Sequence, residues 1–388
     1  VGGRVQAVRT FADKLNVTAG AKQVGILALT GTNHRDRHRL TLVVDGQKIQ
    51  LYVLQAHPGS QQVCVRDAVH PCAAGVSYPG IARIRRITHD HQIDPRNENI
   101  LISINGELFP RQEAKVSVFD SGYILGDGVW EGLRLHEGKI LFAKEHMRRL
   151  YEGARALDMD MDISPRVMLD RVYETCAANG MESGVHIRLM VTRGVKSTPY
   201  QDPRMTITPP TVVIIAEYKS PTDATIEQGI RLFTVHVRRG YPDVQDPKLN
   251  THSKLNCITA CIQAAKAGAD EALMLDPHGF VATCNSTHFF IVRDGQVWTS
   301  SGDYCLDGIT RRNVINLCKE NAIDVYERNF SLTDVYGADE AFVTGTFAGV
   351  APAVEIDGRT VGAGKPGPMV AQLRALYLDR IKRESGQL

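Results

Sequence analysis

From Ile100 to the C-terminus, strand-length apolar runs and capped helices follow one another in an irregular order, and this restricts the fold more than any other property of the sequence. Leu101-Ile102-Ser103-Ile104, the dipeptide Asn105-Gly106 and Glu107-Leu108-Phe109 read as a hairpin, with a further strand at 116–119. Residues 129–135 and 140–142 form a second pair around Glu137-Gly138. Helices are predicted over 145–157 and 164–179, the latter with Ser164 as N-cap and Pro165 in the first helical position. A strand at 185–191 closes a first lobe, and residues 198–210, with four prolines, read as a linker. The second lobe carries strands at 212–216, 231–237, 271–275, 288–292 and 340–344. Its helices are placed at 255–267, ended by Gly268, at 310–321 and at 368–382. A strict strand–helix alternation would build a doubly wound parallel sheet; this order predicts α+β. The expected domains are an extension over 1–95, a small lobe over 96–205 and a larger lobe over 206–388.

The extension follows a different pattern. It holds one hairpin-like unit, residues 38–55, in which Leu40, Leu42 and Val44 answer Ile49, Leu51 and Val53 across Asp45-Gly46. Histidines, arginines and glycines crowd the remainder, and no methionine occurs before Met147. The expectation is an unusual, poorly ordered extension or the product of an overextended reading frame.

Charge and composition narrow the partners. The 45 basic and 43 acidic residues are interspersed, giving a net charge of +2, so the basic patch of a nucleic-acid binder is missing and a small-molecule partner is expected. No apolar run approaches the roughly 20 residues of a membrane span, and the N-terminus lacks a secretory layout, which predicts a cytoplasmic protein. The 8 cysteines have neither zinc nor disulfide spacing. Cys257 and Cys261, four apart on a predicted helix, read as buried small apolar residues rather than a metal pair, and no metal is expected.

Three stretches can carry chemistry. Between Asp246 and Asn256 the chain reads D-P-K-L-N-T-H-S-K-L-N just ahead of a helix. A lysine partly desolvated there can lose its proton near neutral pH and attack a carbonyl to form a Schiff base, with Lys248 and Lys254 as the candidates and His252 as an acid/base group. Gly308-Ile309-Thr310 precedes a helix, so backbone N–H groups and a hydroxyl converge on a potential phosphate; Thr344-Gly345-Thr346 ends a strand with further hydroxyls. Arg149 offers a bidentate donor.

These pieces occur in the order of a known family. Ser121-Gly122-Tyr123-Ile124-Leu125-Gly126-Asp127-Gly128-Val129-Trp130-Glu131-Gly132-Leu133-Arg134 resembles a stretch of the class IV aminotransferases, the group of branched-chain and D-amino acid aminotransferases and aminodeoxychorismate lyase. His146-x-x-Arg149-Leu150, Ile187-Arg188-Leu189-x-Val191-Thr192-Arg193-Gly194, Gly308-Ile309-Thr310-Arg311 and Gly364-Lys365-Pro366-Gly367-Pro368 are similar too, over about residues 100–380. The resemblance implies the two-lobed fold type IV for pyridoxal 5'-phosphate, in a homodimer. Arg149, Ile309, Thr310 and Thr346 would bind the phosphate, and Tyr123 and Trp130 would line the substrate pocket. The implied reaction moves an amino group between an amino acid, with a branched-chain one expected, and a 2-oxo acid.

Two departures touch the chemistry. Many relatives carry the Schiff-base lysine four residues after the aspartate of an Asp-Pro pair; counted from Asp246, that position is Asn250. Lys254, directly before Leu255-Asn256, is the expected substitute. Four residues after Gly279, where relatives usually place a glutamate facing the cofactor's ring nitrogen, stands Thr283, and the asparagine expected five residues later is His288. A hydroxyl holds that nitrogen protonated less well than a carboxylate. The alternatives are therefore a lyase on the same fold or a non-catalytic relative.

Overall fold

The computed structural model describes residues 24–30, 37–44, 47–54 and 94–387. The chain divides into two compact units, Val1–Ala82 and Arg83–Leu388. In the first, the strands Val24–Thr30, Arg37–Val44 and Gln47–Leu54 form an antiparallel sheet in chain order. The expected hairpin is there, pairing Leu40 with Leu51 and Leu42 with Ile49, and the strand before it went unread. Its turn, like most of the segment expected to be poorly ordered, lies outside the described residues.

The second unit has the α+β architecture that the irregular element order predicts, built on two sheets. The smaller has six antiparallel strands in the order Glu107–Pro110, Leu101–Ile104, Thr211–Tyr218, Val185–Thr192, Gly128–His136, Lys139–Ile140. Its first hairpin turns on Asn105 and Gly106, both at positive φ, as the tight reversal requires. Helices Ala143–Ala156 and Pro165–Ala178 lie on one face, and Ser164 caps the second by accepting from Val167 N–H. Val129, Leu133, Leu135, Ile187 and Leu189 bury against Met147, Leu150, Met168 and Val172 from those helices. The two-residue alternation that sends these side chains to the helices turns Trp130, Arg134, His186 and Arg188 to the opposite face.

The strand expected to open the second lobe belongs here. Thr211–Tyr218 pairs with Val185–Thr192 along its full length and with Ser103 and Ile104 on its other edge. The proline-rich stretch is thus a loop between neighbouring strands of one sheet, and the lobe boundary expected at 205/206 falls inside that sheet's connection. Residues 116–119 form no strand. Val116, Val118 and Phe119 are exposed, without the partner that would order an extended run.

The larger sheet is mixed and nine-stranded. Its main path runs Val281–Cys284, Glu271–Leu275, Ile230–Thr234, Gly349–Ile356, Glu340–Gly345, His288–Arg293, Gln296–Thr299, Val325–Glu327, and Arg359–Thr360 pairs with Gly349–Ile356. Helices Ile309–Glu320 and Pro368–Glu384 pack on one face over Phe290 and Phe342, whose rings stack at 4.7 Å. Helix Leu255–Ala267 seats Ala260 and Ala264 against Ala272 and Met274. Among the described residues, no helix is long and apolar enough to cross a membrane.

Candidate active site

One end of the site is organised by a carboxylate inside an apolar row. Along Gly128–His136 the inward positions are Val129, Glu131, Leu133 and Leu135, and Glu131 is fully buried among them. Such a charge is tolerable only when paired. Helix Ala143–Ala156 supplies the partners from adjacent turns of one face. Arg149 donates from Nε and Nη2 to the two Glu131 oxygens at 2.8 and 2.6 Å, and His146 Nδ1 lies 2.7 Å from Oε2. A carboxylate only accepts, so His146 carries its proton on Nδ1. Burial alone would raise the Glu131 carboxyl, but the Arg149 charge, with hydrogen bonds from Arg149 and His146, holds it below its usual value. Arg149 Nη1 also donates to the Asp307 carbonyl at 2.7 Å. Three of its five N–H groups are thus taken, and two remain for a ligand. Sequence reading picks out Arg149 and passes over Glu131, although an acid at the inward phase of an alternating strand is a legible signal.

Asp307 leads into the start of helix Ile309–Glu320. Gly308 is its N-cap and no side chain caps it; the first helical bond comes from Arg312 N–H to Gly308 O, so the Ile309, Thr310 and Arg311 N–H groups have no partner within the helix. The His288 ring lies under this turn, where a Cβ on residue 308 would run into it. His288 Nε2 donates to Leu306 O at 2.7 Å, and burial, opposed by that bond and aided by the Arg311 and Arg149 charges, lowers its pKa to about 4, leaving it neutral. Thr344 pairs with His288 across the sheet and shares a face with Phe342. Its hydroxyl is buried with no hydrogen-bond partner. Thr310 is buried, whereas Thr346 sits half-buried in the turn after Glu340–Gly345.

The other end is built on Trp130. Arg188 stacks on the indole at 3.7 Å, and its guanidinium has no hydrogen-bond or ion-pair partner among the described residues. Arg134 donates to the Phe347 carbonyl at 2.7 Å. Between them His186 packs edge-on to Phe347, its pKa lowered to about 3 by burial and by the Lys219, Arg188 and Arg134 charges. The segment before helix Leu255–Ala267 is laced to the same strand. Trp130 N–H donates to Asn250 O at 3.0 Å, Asn250 Nδ2 to Trp130 O at 2.6 Å, and Trp130 Nε1 to Thr251 O at 3.0 Å. Lys254, the residue before the helix, turns its amine back to Asn250 Oδ1 at 3.0 Å and lies 5.4 Å from the Trp130 ring. Desolvation lowers its pKa to about 8, with Arg239, Arg149 and Arg188 acting the same way and Cys257 opposing.

Not every expected residue joins this constellation. Tyr123 stands on the short helix Ser121–Leu125 and is 73% exposed, outside the cluster formed by this chain. Lys248 is exposed in the loop, its N–H turned to Asp246 Oδ1. His252 Nε2 is 3.0 Å from the Val129 carbonyl and its N–H donates to Gly128 O, so its ring pins the segment rather than standing free for acid/base work. The Thr283 hydroxyl donates to Thr287 O at 2.8 Å, leaving it only lone pairs for another group. Cys257 and Cys261 are not the buried apolar pair expected: Cys257 accepts from Arg239 Nη1 and Cys261 is exposed. Among the described residues no group of His, Cys, Asp or Glu could hold a metal ion.

Residues 128–356 match the model of amino-transferase class IV, and the chain belongs to that family. It is 42% identical over 279 residues, 72% of this chain and 95% of the relative, to a putative branched-chain-amino-acid aminotransferase of Methanocaldococcus jannaschii. It is 41% identical over 293 residues to branched-chain-amino-acid aminotransferase-like protein 1 of Arabidopsis thaliana, covering 75% of this chain and 52% of that protein. The chain thus spans about half the length of the Arabidopsis relatives it matches. Among solved structures, the T.th. branched-chain amino acid aminotransferase complexed with N-(5'-phosphopyridoxyl)-L-glutamate is similar at a TM-score of 0.68 and 32% identity, over 75% of this chain and 95% of that one.

Proposed function

We propose that the protein is a pyridoxal 5'-phosphate-dependent aminotransferase, moving an amino group between an apolar amino acid, with branched-chain ones first, and a 2-oxo acid. The observation that carries this is the Lys254 amine, half-buried with its proton affinity lowered, on the Trp130 platform and in the field of Arg149 and Arg188. The donor set suits a phosphate-bearing aldehyde. Two free N–H groups of Arg149, the unpaired N–H groups of Ile309 and Thr310, and the hydroxyls of Thr310 and Thr346 would hold the phosphate. The orphaned Thr344 hydroxyl on the strand face below that turn supports the same fit. When bound, the cofactor supplies an aldehyde carbon for the amine and a conjugated ring that draws electrons from the substrate's Cα. Lys254 would present its neutral amine to that carbon and would carry the proton of the substrate's Cα. Thr283 would face the ring nitrogen as a neutral acceptor. Arg188, with no other polar partner among the described residues, would take the substrate carboxylate over Trp130.

A homodimer is part of this reading. Tyr123, Tyr200, Ile207, Leu255, Ile258 and Ile262 are exposed, more large apolar surface than a solitary fold needs, and Tyr123 would then line a pocket of a partner copy. A cytoplasmic location also belongs to it, supported by the described cysteines all being free thiols. The test is reconstitution with pyridoxal 5'-phosphate, borohydride trapping with peptide mapping, and amino transfer from L- and D-leucine to 2-oxoglutarate or pyruvate. Trapping at Lys254 with acceptor-dependent transfer is expected. Turnover needing no acceptor would make the protein a lyase, and no trapped cofactor would remove the enzyme reading.

A further inference from the structure

Asn250 occupies the place where the family resemblance leads one to expect the lysine, yet it is buried at 6% exposure and fully engaged. Its backbone carbonyl accepts from Trp130 N–H and its side-chain Nδ2 donates to Trp130 O, so both ends of the residue are fixed to the same strand position. With the amide so anchored, Oδ1 has one direction left, and that direction holds Lys254 Nζ at 3.0 Å. We propose that Asn250 is the positioning residue for the Lys254 amine: fixed to Trp130, its amide oxygen takes one N–H of the amine and turns the remaining valences toward the pocket. This rests on the reading of Lys254 as the cofactor-attaching lysine.

The physical reason is geometric. A lysine side chain has four rotatable bonds, and an amine at its end finds a reactive orientation only if something fixes it. A neutral amine that donates one N–H to a fixed acceptor has its lone pair directed away from that acceptor. Positions 250 and 254 are four apart in an irregular segment that ends at the start of the helix, and the Lys254 side chain folds back along it to the side chain of 250. The acceptor is also uncharged. A carboxylate in the same place would retain the ammonium form, while the groups that face the amine from the surrounding elements, Arg149, Arg188 and Arg239, disfavour it and only Cys257 favours it.

The test follows Lys254 in the cofactor-free protein by competitive acetylation with acetic anhydride across pH, read by peptide mass spectrometry with exposed Lys248 as internal reference. In Asn250→Asp the midpoint of Lys254 reactivity should rise by about one pH unit or more, the effect of a carboxylate at contact distance. In Asn250→Ala it should not rise, while attachment of added pyridoxal 5'-phosphate, followed by its visible band, should slow by about tenfold, the order of a lost orienting hydrogen bond. A merely structural asparagine would lower the melting temperature in both variants and leave the attachment rate of Asn250→Ala unslowed. Trapping at Lys254 in the wild type with an unmoved midpoint in Asn250→Asp overturns the proposal. A shifted midpoint with trapping at another residue overturns the functional reading instead.

Discussion

The two ends of the site are held in different ways. At the proposed phosphate end most participants belong to regular elements: Glu131 is set by strand register, His146 and Arg149 by the turns of one helix, and the free N–H groups by the start of another, with Thr346 in a turn beside them. At the lysine end, residues 246–254 form an irregular segment tied to the Trp130 strand by single hydrogen bonds. A regular element permits no exchange of position, because one residue's slip turns a side chain to the other face. An irregular segment leading into a helix is not bound by such a register, and here the Lys254 amine reaches back to the side chain four positions earlier. The departure at Asn250 lies in the irregular segment, whereas Thr283 and His288 replace the expected residues within regular strands.

The contrast can be broken most sharply at the lysine. Lys254→Ala should abolish trapping and lower transfer by about 10³-fold or more, the scale of losing a covalent nucleophile; retained trapping would place the chemistry elsewhere. Arg149→Ala should weaken cofactor affinity by roughly 10²–10⁴-fold, from two charge-assisted bonds of about 1.5–3 kcal/mol each, as equilibrium titration would read. Glu131→Gln tests whether the rigid end is stabilised by its buried pair. Denaturant unfolding should show a loss of about 3–5 kcal/mol. Because the folded carboxyl is held below its usual value, that stabilisation is complete above the ordinary carboxylate range near ~4.3 and disappears as pH falls through the lowered value. Wild-type stability should therefore decline in acid more steeply than that of the glutamine variant. For Lys254, whose pKa is lowered, the reactive neutral form grows as pH rises through about 8, so the attachment rate should climb across that range and then level. The smallest effect belongs to Lys248→Ala, where stability should change by less than ~0.5 kcal/mol and transfer should be unaltered.

What could be read from sequence followed the same division. Asn105-Gly106, Ser164-Pro165 and the helix Leu255–Ala267 were legible because each is set by local chemistry: a turn at positive φ, a cap, an apolar helix face. The placement of Thr211–Tyr218 was not, because which sheet a strand joins depends on partners from 19 residues away (Thr192 with Thr211) to 111 away (Ser103 with Ile214), and no local pattern records that. Residues 116–119 carry the apolar residues of a strand, yet among the described residues they join no sheet, and Phe119 O accepts an isolated bond from Lys196 N–H. Arg149, Thr310 and Lys254 could be named from motif and spacing, whereas the unpartnered Arg188 and the inward Glu131 acquire meaning only beside Trp130 and His146. The anchoring of His252 is equally invisible without the Val129 carbonyl.

The close approach of Gly308 to the His288 ring has a historical consequence. Residue 308 has an ordinary φ of −72, so its backbone would admit any side chain; only the imidazole forbids one. The two sites cannot drift independently. A side chain at 308 requires the ring at 288 to shift or be replaced, so the two positions are expected to change together.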